Sequence, residues 1–189
     1  MDELEERINN DIKNKLSEHR YKHSVGVMKM AGELAKFYNL DIQKARIIGL
    51  AHDIAKQMTD KEIEEYTKKY NIKLDELELK NRELIHSKLG ADICKREYNF
   101  DDEMANAVLY HTTGNPNMDL MAKVIFIADK VEENRVYDDL EKRRKLAFEN
   151  IDQAIIETIN YTTTYCIERG DVIHPDAILT RNKLIIDMK

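Results

Sequence analysis

Four histidines and two aspartates are spaced along this chain in a way that suggests a metal centre. They are His23, His52, Asp53, His86, His111 and Asp129. Imidazole nitrogens bind iron, manganese, cobalt or zinc, and a carboxylate can bridge two ions about 3.5–4 Å apart. Asp53 is the natural bridge, between one ion on His23, His52 and Asp129 and a second on His86 and His111. Because paired ions activate water and neutralise phosphate oxygens, the set predicts a metal-dependent phosphohydrolase.

Members of this set also have ordinary structural interpretations. Any one of the histidines could be a partly buried helix residue, and Asp129 could bind a backbone donor or a lysine. The adjacent His-Asp pair is a weak motif alone, but it ends the apolar run 45–51, and Asp129 ends the apolar run 124–128. A carboxylate at the end of such a run needs a cation, a donor or water. His19 and His174 are dispensable to the site.

Two basic residues near these positions are candidates for phosphate contacts. Arg20 lies one helical turn before His23, and Lys56 lies one turn after His52. Both side chains could reach phosphate oxygens at the open side of the metal site. We assign Lys56, with His52 and Asp53, to the catalytic group. The alternative is that both cations are simply solvated at helix ends.

A second group of substrate contacts is predicted after His111 and after Asp129. Thr112, Thr113 and Gly114 follow a helix end, where hydroxyls and free amides could bind phosphate, although a plain helix C-cap is an equal alternative. Arg135 could contact nucleotide or could form a local ion pair with Glu132.

The elements that position these residues are predicted to be helices throughout. Apolar residues recur at three and four positions, strand alternation is absent, and there are only 2 Pro and 6 Gly. Asp41 is a candidate N-cap, Thr59 begins a capping box, Gly170 is a candidate C-cap, and Pro175 suits the first position of a last helix. The predicted helices are 4–16, 20–39, 41–56, 59–70, 82–98, 102–111, 119–133, two within 138–169, and 175–187.

The fold class is therefore all-α, a single helical bundle in one domain, 1–189. The last helices, from about 138 to 189, are expected to pack on the metal-binding core. A chain of 189 residues is long enough to bury such a core.

Charge and composition limit the classes of partner and the cellular location that the sequence allows. The net charge is -6 with dispersed Lys and Arg, so no basic stripe for nucleic acid is present. Cys94 and Cys166 are far apart and suggest neither a disulfide framework nor a thiolate zinc site. With no apolar run of about 18 residues, no membrane association and a cytoplasmic location are expected. The oligomeric state is not fixed, and a homodimer is one state that the sequence allows.

These residues carry a resemblance to a known family. The order His23, His52-Asp53, Asp129 resembles the HD-domain metal-dependent phosphohydrolases, and longer segments look like their YqeK-like branch of bacterial symmetrical diadenosine tetraphosphate hydrolases. The matching segments are Arg20 to Val27, Gly49 to Lys56, Ile85 to Ala91, His111 to Gly114 and Ala128 to Arg135. The resemblance implies a helical fold, two divalent or trivalent metal ions, commonly iron, and cleavage of the tetraphosphate to two ADP. Manganese or cobalt are alternative metals.

The chain departs from the family pattern after Asp129. That segment usually reads aromatic-Ile-Glu-Pro, whereas here Lys130 to Asn134 stands in its place. The missing proline affects the loop and the nucleotide contacts near Arg135 and leaves the ligands in place.

Other functions fit the same residues less well. The site could act on nucleoside monophosphates, deoxynucleotides or cyclic dinucleotides, and fold and ligands do not separate these substrates. A regulatory domain that binds nucleotide without turnover has less need of six ligands, and a helical adaptor needs none. The leading prediction is hydrolysis of a dinucleoside polyphosphate.

Overall fold

Helices account for all the regular structure in the residues described, 3–136 and 139–189 of a computed structural model. The predicted all-helical fold is confirmed. Residue 138, where the sequence predicts the start of the last helices, lies outside the described residues. The helices are α1 Glu3–Lys15, α2 Glu18–Phe37, α3 Ile42–Ala51, α4 Asp60–Tyr70, α5 Glu76–Lys80, α6 Ile85–Tyr98, α7 Asp102–Tyr110, α8 Leu120–Val131, α9 Leu140–Glu149, α10 Ile151–Arg169 and α11 Pro175–Asp187.

Side-chain caps explain where many of these helices begin. Asp41 accepts a hydrogen bond from the amide of Lys44, and Thr59 forms the predicted capping box with Glu62. Each cap satisfies an amide that has no partner within its helix. At the far end of the chain, Gly170 ends α10 with a φ of +69°, as predicted for a C-cap.

Two parts of the helix prediction are wrong. The third helix was expected to reach 56, but α3 ends at Ala51. His52 to Gln57 form turns instead, and the side chain of His52 donates a hydrogen bond back to the Gly49 carbonyl. The short helix α5 was not predicted, although Asp75 and Glu78 form a capping box at its start. Five residues are too few to show a helical hydrophobic period.

The core is built around α8, which is buried along most of its length. Helices α2 and α7 pack directly against α8, α3 packs against α2 and also touches α8, and α6 packs against α7. Ile48, Leu89, Ile125 and Ile127 are fully buried where these helices meet. The arrangement brings the ends of α3, α7 and α8 and one face each of α2 and α6 to a common place.

The C-terminal helices extend this bundle. Helix α10 packs on α8, α9 touches both α8 and α10, and α11 packs on α10. His174, expected to be a turn residue, is the N-cap of α11, and Pro175 is its first residue as predicted. None of the described helices has the length and apolar character needed to cross a membrane.

Candidate metal centre

The structure brings all six predicted metal-ligating side chains together, and all six are buried. Three lie at helix ends: His52 at the end of α3, His111 at the end of α7 and Asp129 in the last turn of α8. His23 comes from α2 and His86 from the first turn of α6. Burying six ionisable groups in one place is unfavourable unless they are paired or hold metal ions. The cluster therefore has the character of a functional site.

Asp53 lies at the middle of the cluster, and its two carboxylate oxygens face different histidines. Oδ1 is 3.2 Å from His86 Nε2 and 3.6 Å from His111 Nε2. Oδ2 is 3.6 Å from His52 Nε2 and 3.9 Å from His23 Nε2. The carboxylate thus divides the histidines into two pairs, as a bridge between two metal ions would.

Asp129 lies on the Oδ2 side of this division. Its Oδ1 is 3.0 Å from His23 Nε2 and 3.9 Å from His52 Nε2. Two sets of three groups have potential ligand atoms close enough to surround one ion: His23, His52 and Asp129, and His52, Asp53 and His111.

Two of the histidine rings are oriented by their own helices. His52 Nδ1 contacts the Gly49 carbonyl and His111 Nδ1 contacts the Val108 carbonyl, each at 2.7 Å. A carbonyl can only accept, so Nδ1 carries the hydrogen in both rings, and the Nε2 lone pair faces the cluster. This is the tautomer that a metal-ligating histidine needs.

His23 is oriented by a carboxylate instead. Its Nδ1 lies 3.1 Å from Glu132 Oε1. Burial opposes ionisation of Glu132, but the hydrogen bonds from His23 and Asn134 outweigh it and hold the pKa of Glu132 below its ordinary value. Glu132 is therefore an ionised acceptor, and the hydrogen lies on His23 Nδ1.

Burial and neighbouring charges set the protonation of the cluster. Burial lowers the pKa of His52 to about 3 and that of His86 to about 4, so both rings are neutral near pH 7. Burial raises the pKa of Asp53, but His52, His111 and His86 outweigh it and hold that pKa well below the usual range. His52 and His86 thus have the neutral form, and Asp53 the ionised form, that metal binding requires. Burial lowers the pKa of His23, but hydrogen bonds with Asp129 and Glu132 outweigh it and raise that pKa.

The residues present fit metal ions by a direct structural criterion. Among the described residues, the buried Nε2 atoms of His23 and His52 have no hydrogen-bond partner. With its hydrogen on Nδ1, the neutral His23 ring presents the Nε2 lone pair to Asp129 Oδ1 at 3.0 Å, and a cation between the two atoms would give that nitrogen a partner. Nitrogen and carboxylate donors together suit first-row metals such as iron, manganese and cobalt.

Four cations surround the cluster. Arg20 Nη1 is 3.3 Å from Asp53 Oδ2, and Lys56 Nζ lies 3.5 Å from both ring nitrogens of His86 while binding Glu83 at 2.7 Å. Lys130 Nζ and Arg135 Nη2 each lie 2.6 Å from Asp129, on different oxygens of its carboxylate. All four side chains are partly exposed, so they could also contact phosphate.

The predicted group after His111 divides in two. The Thr112 hydroxyl faces the cluster, 3.3 Å from His86 Nε2 and 3.2 Å from His111 Nε2. Thr113 donates to the Gly114 carbonyl, and Gly114 ends this segment with a φ of +74° and packs against Thr180. The backbone at Gly114 thus has the conformation of a C-cap.

Two residues of this site were missed or misread from the sequence. Glu132 was considered only as a partner of Arg135, and Lys130 only as part of a departure from the family pattern. Both follow Asp129 within three positions, and this closeness in sequence to a predicted ligand was a signal that they belong to the site, but it does not identify their partners.

A cavity of about 30 Å³ is lined by His86, Lys56 and Glu83. A larger cavity of about 570 Å³ is lined by Tyr66, Gln57 and other residues, and none of the six clustered residues lines it. The chemistry is therefore assigned to the buried cluster rather than to the larger cavity.

Comparison with known proteins agrees with this geometry. The HD domain family matches residues 20–134, which contain all six clustered residues. The chain is 36% identical to a symmetrical bis(5'-nucleosyl)-tetraphosphatase of Halalkalibacterium halodurans, with 94% of this chain and 95% of the relative covered. It is 38% identical to the enzyme of the same name from Bacillus subtilis, with 92% and 94% covered.

A solved structure is also similar. It comes from Clostridium acetobutylicum and is described as a predicted HD superfamily hydrolase involved in NAD metabolism. The two chains superpose with a TM-score of 0.91 at 37% identity, with 96% of this chain and 97% of the other covered.

Proposed function

This chain belongs to the HD domain family, and from that premise we propose that it is a metal-dependent hydrolase that splits diadenosine tetraphosphate into two ADP. The resemblance predicted from the sequence is confirmed. The observation that carries hydrolysis is the division of the histidines by the two oxygens of Asp53. The substrate comes from the curated relatives, which cover nearly the whole chain.

The proposed metal ligands are the six clustered residues. His23, His52 and Asp129 would hold one ion with Asp53, and His86 and His111 would hold the second with the other oxygen of Asp53. Iron is the proposed metal, with manganese or cobalt as alternatives. When bound, the ions would polarise a water molecule and neutralise phosphate oxygens.

The surrounding cations have a separate role. Because the chain has a net charge of -6, a tetraphosphate needs local positive charge in order to bind. Arg20, Lys56 and Arg135 are the predicted phosphate contacts, and Lys130 lies close enough to join them. Thr112 can supply a hydroxyl at the same place. Each of these side chains would hold the tetraphosphate against the ligands and restrict which phosphorus atom meets water.

The reaction adds one water across the central anhydride. The water oxygen bonds to one of the two inner phosphorus atoms, the bond from that phosphorus to the central bridging oxygen breaks, and the bridging oxygen leaves on the other ADP. One proton of the water is released. Lys56 and Arg20 would stabilise the charge that forms on the leaving oxygen and on the attacked phosphate.

A product assay tests this function. The purified chain is incubated with diadenosine tetraphosphate and Fe²⁺, Mn²⁺ or Co²⁺, and the nucleotides are separated by anion-exchange chromatography. We expect ADP alone, and we expect His23→Ala to abolish its formation while the exposed His19→Ala does not. AMP with ATP would exclude symmetrical cleavage. No turnover with any of the metals would favour the monophosphate or non-catalytic binding alternatives.

The location of the protein, its other partners and its domain organisation are also proposals. A cytoplasmic location, the absence of nucleic-acid and membrane partners, and the optional homodimer stay predictions, as does the single domain 1–189 with its C-terminal helices on the metal-binding core.

A further inference from the structure

Glu132 is a buried carboxylate whose two oxygens are both engaged. Oε1 accepts from His23 Nδ1 at 3.1 Å. Oε2 accepts from the backbone amide of Asn134 at 2.6 Å and from Asn134 Nδ2 at 2.8 Å. With 1% of its surface exposed, this carboxylate has no compensation from bulk water. Its position is therefore fixed by the chain itself.

The space for Glu132 depends on a glycine. A Cβ at Gly26 would overlap Oε2 and the carboxyl carbon of Glu132 and would press on Asn134 Nδ2. Gly26 is one turn beyond His23 on α2, so the same helix face carries the histidine and leaves room for its acceptor. The backbone of Glu132 is held as well, because its carbonyl accepts from Arg144 Nη2 at 2.8 Å.

The acceptor that orients the ring of His23 differs in kind from those of His52 and His111. His52 and His111 receive their acceptors from carbonyls three residues earlier in the same segment. The acceptor of His23 comes from a side chain 109 positions away. Of these three histidines, His23 is thus the one whose orienting acceptor a side-chain substitution can remove.

We propose that Glu132 is a positioning residue that turns the Nε2 of His23 toward Asp129 and Asp53, and that Gly26 leaves the space in which it does so. The proposal rests on the metal centre of the proposed function. Since His23 faces only Oδ2 of Asp53, the loss of Glu132 should weaken one ion and leave the ion held near His86 and His111 much less affected.

Calorimetric titration of the metal-free full chain with Mn²⁺ tests this without any substrate. Wild type should bind two ions. Glu132→Ala should lower the affinity for one of them by about 10- to 100-fold, the usual effect of removing an acceptor behind a metal-ligating histidine. Glu132→Gln keeps the volume and one acceptor oxygen, so its loss should be smaller.

The neighbouring Glu133 provides a matched control. It is exposed and pairs with Lys29 at 2.6 Å, outside the cluster. Glu133→Gln should bind both ions as wild type does. Circular dichroism on the metal-free proteins records the helix content of each variant, and the Gln variant supplies the comparison if the Ala variant does not fold.

Gly26→Ala examines the same contact from the other side. It should displace Glu132 and weaken the same ion, and in the Glu132→Ala background it should add little, because the space has been vacated. Two ions bound with wild-type affinity by both Glu132 variants would overturn the inference. Failure of wild type to bind any of Mn²⁺, Fe²⁺ and Co²⁺ would instead refute the proposed function, so the two failures are distinguishable.

Discussion

Replacing Asp53 by asparagine removes the group on which both halves of the proposed site depend. In the wild-type chain, the Nε2 atoms of the histidines lie 3.2 to 3.9 Å from the nearer Asp53 oxygen. Asparagine keeps the shape of the side chain but presents an NH₂ group to one of the two histidine pairs. A donor there cannot bind a metal ion. The negative charge that offsets the cations is lost as well. We therefore expect Asp53→Asn to lose at least one ion per chain.

The expected effect on rate can be bounded. Loss of one preorganised charge-stabilising group costs up to about 4 kcal/mol of transition-state stabilisation. Since about 1.4 kcal/mol corresponds to a factor of ten, turnover should fall by up to about 10³-fold. The fold should survive, because the polar neighbours of Asp53 belong to the site rather than to the apolar core.

Metal analysis by mass spectrometry and the rate of ADP formation are the measurements for Asp53→Asn. Asp187→Asn is the control, since Asp187 is half exposed and pairs with Lys183 one turn earlier. It should leave both quantities unchanged. An Asp53→Asn protein that keeps two ions and works within tenfold of wild type would refute the bridging assignment.

Two further predictions concern charged groups outside the ligand set. Lys56→Ala and Arg20→Ala should raise KM for diadenosine tetraphosphate about 10-fold and lower kcat with unchanged metal content, while the exposed Lys183→Ala should change neither constant. A loss of metal in the first two variants would show that these cations support the ligands instead. Glu5 is buried, and its pKa is lowered because hydrogen bonds from Arg46 and Gln43 outweigh the effect of burial. Its stabilising contribution is therefore full above the unfolded-state value of 4.5 and is lost as pH falls through the lower folded-state pKa. Glu5→Gln should lower the free energy of unfolding by about 1 to 2 kcal/mol at pH 7 and by less below pH 4, and an equal loss at both pH values in denaturant titrations would contradict this.

The helices were largely predictable because their signals are local. The capping box at Thr59, the C-cap at Gly170 and the first-turn proline at Pro175 each involve residues within three positions. The end of α3 was not predictable in this way. It depends on which group takes the Gly49 carbonyl, and a hydrophobic period carries no information on that choice.

The gathering of the six proposed ligands was predictable for a related reason. A carboxylate or an imidazole at the end of an apolar run is unusual enough to be noticed, as at His52 and Asp129. The contacts of Glu132 were not, because its partner His23 lies 109 positions away and nothing near it in sequence indicates a meeting. The contact of Arg20 with Asp53 likewise depends on how α2 and α3 pack, and the contact of Arg135 with Asp129 depends on the turn that follows α8.

The different acceptors of the three oriented histidines give them different tolerance of mutation. The carbonyls of Gly49 and Val108 belong to the backbone, so no codon change at either position deletes the acceptor itself. For His23, a substitution at position 132 removes the acceptor, and a substitution at position 26 displaces it. Variants at these two positions should therefore be deleterious although they spare the six proposed ligands, and a saturation-mutagenesis screen should find alanine tolerated at position 133 but not at position 132.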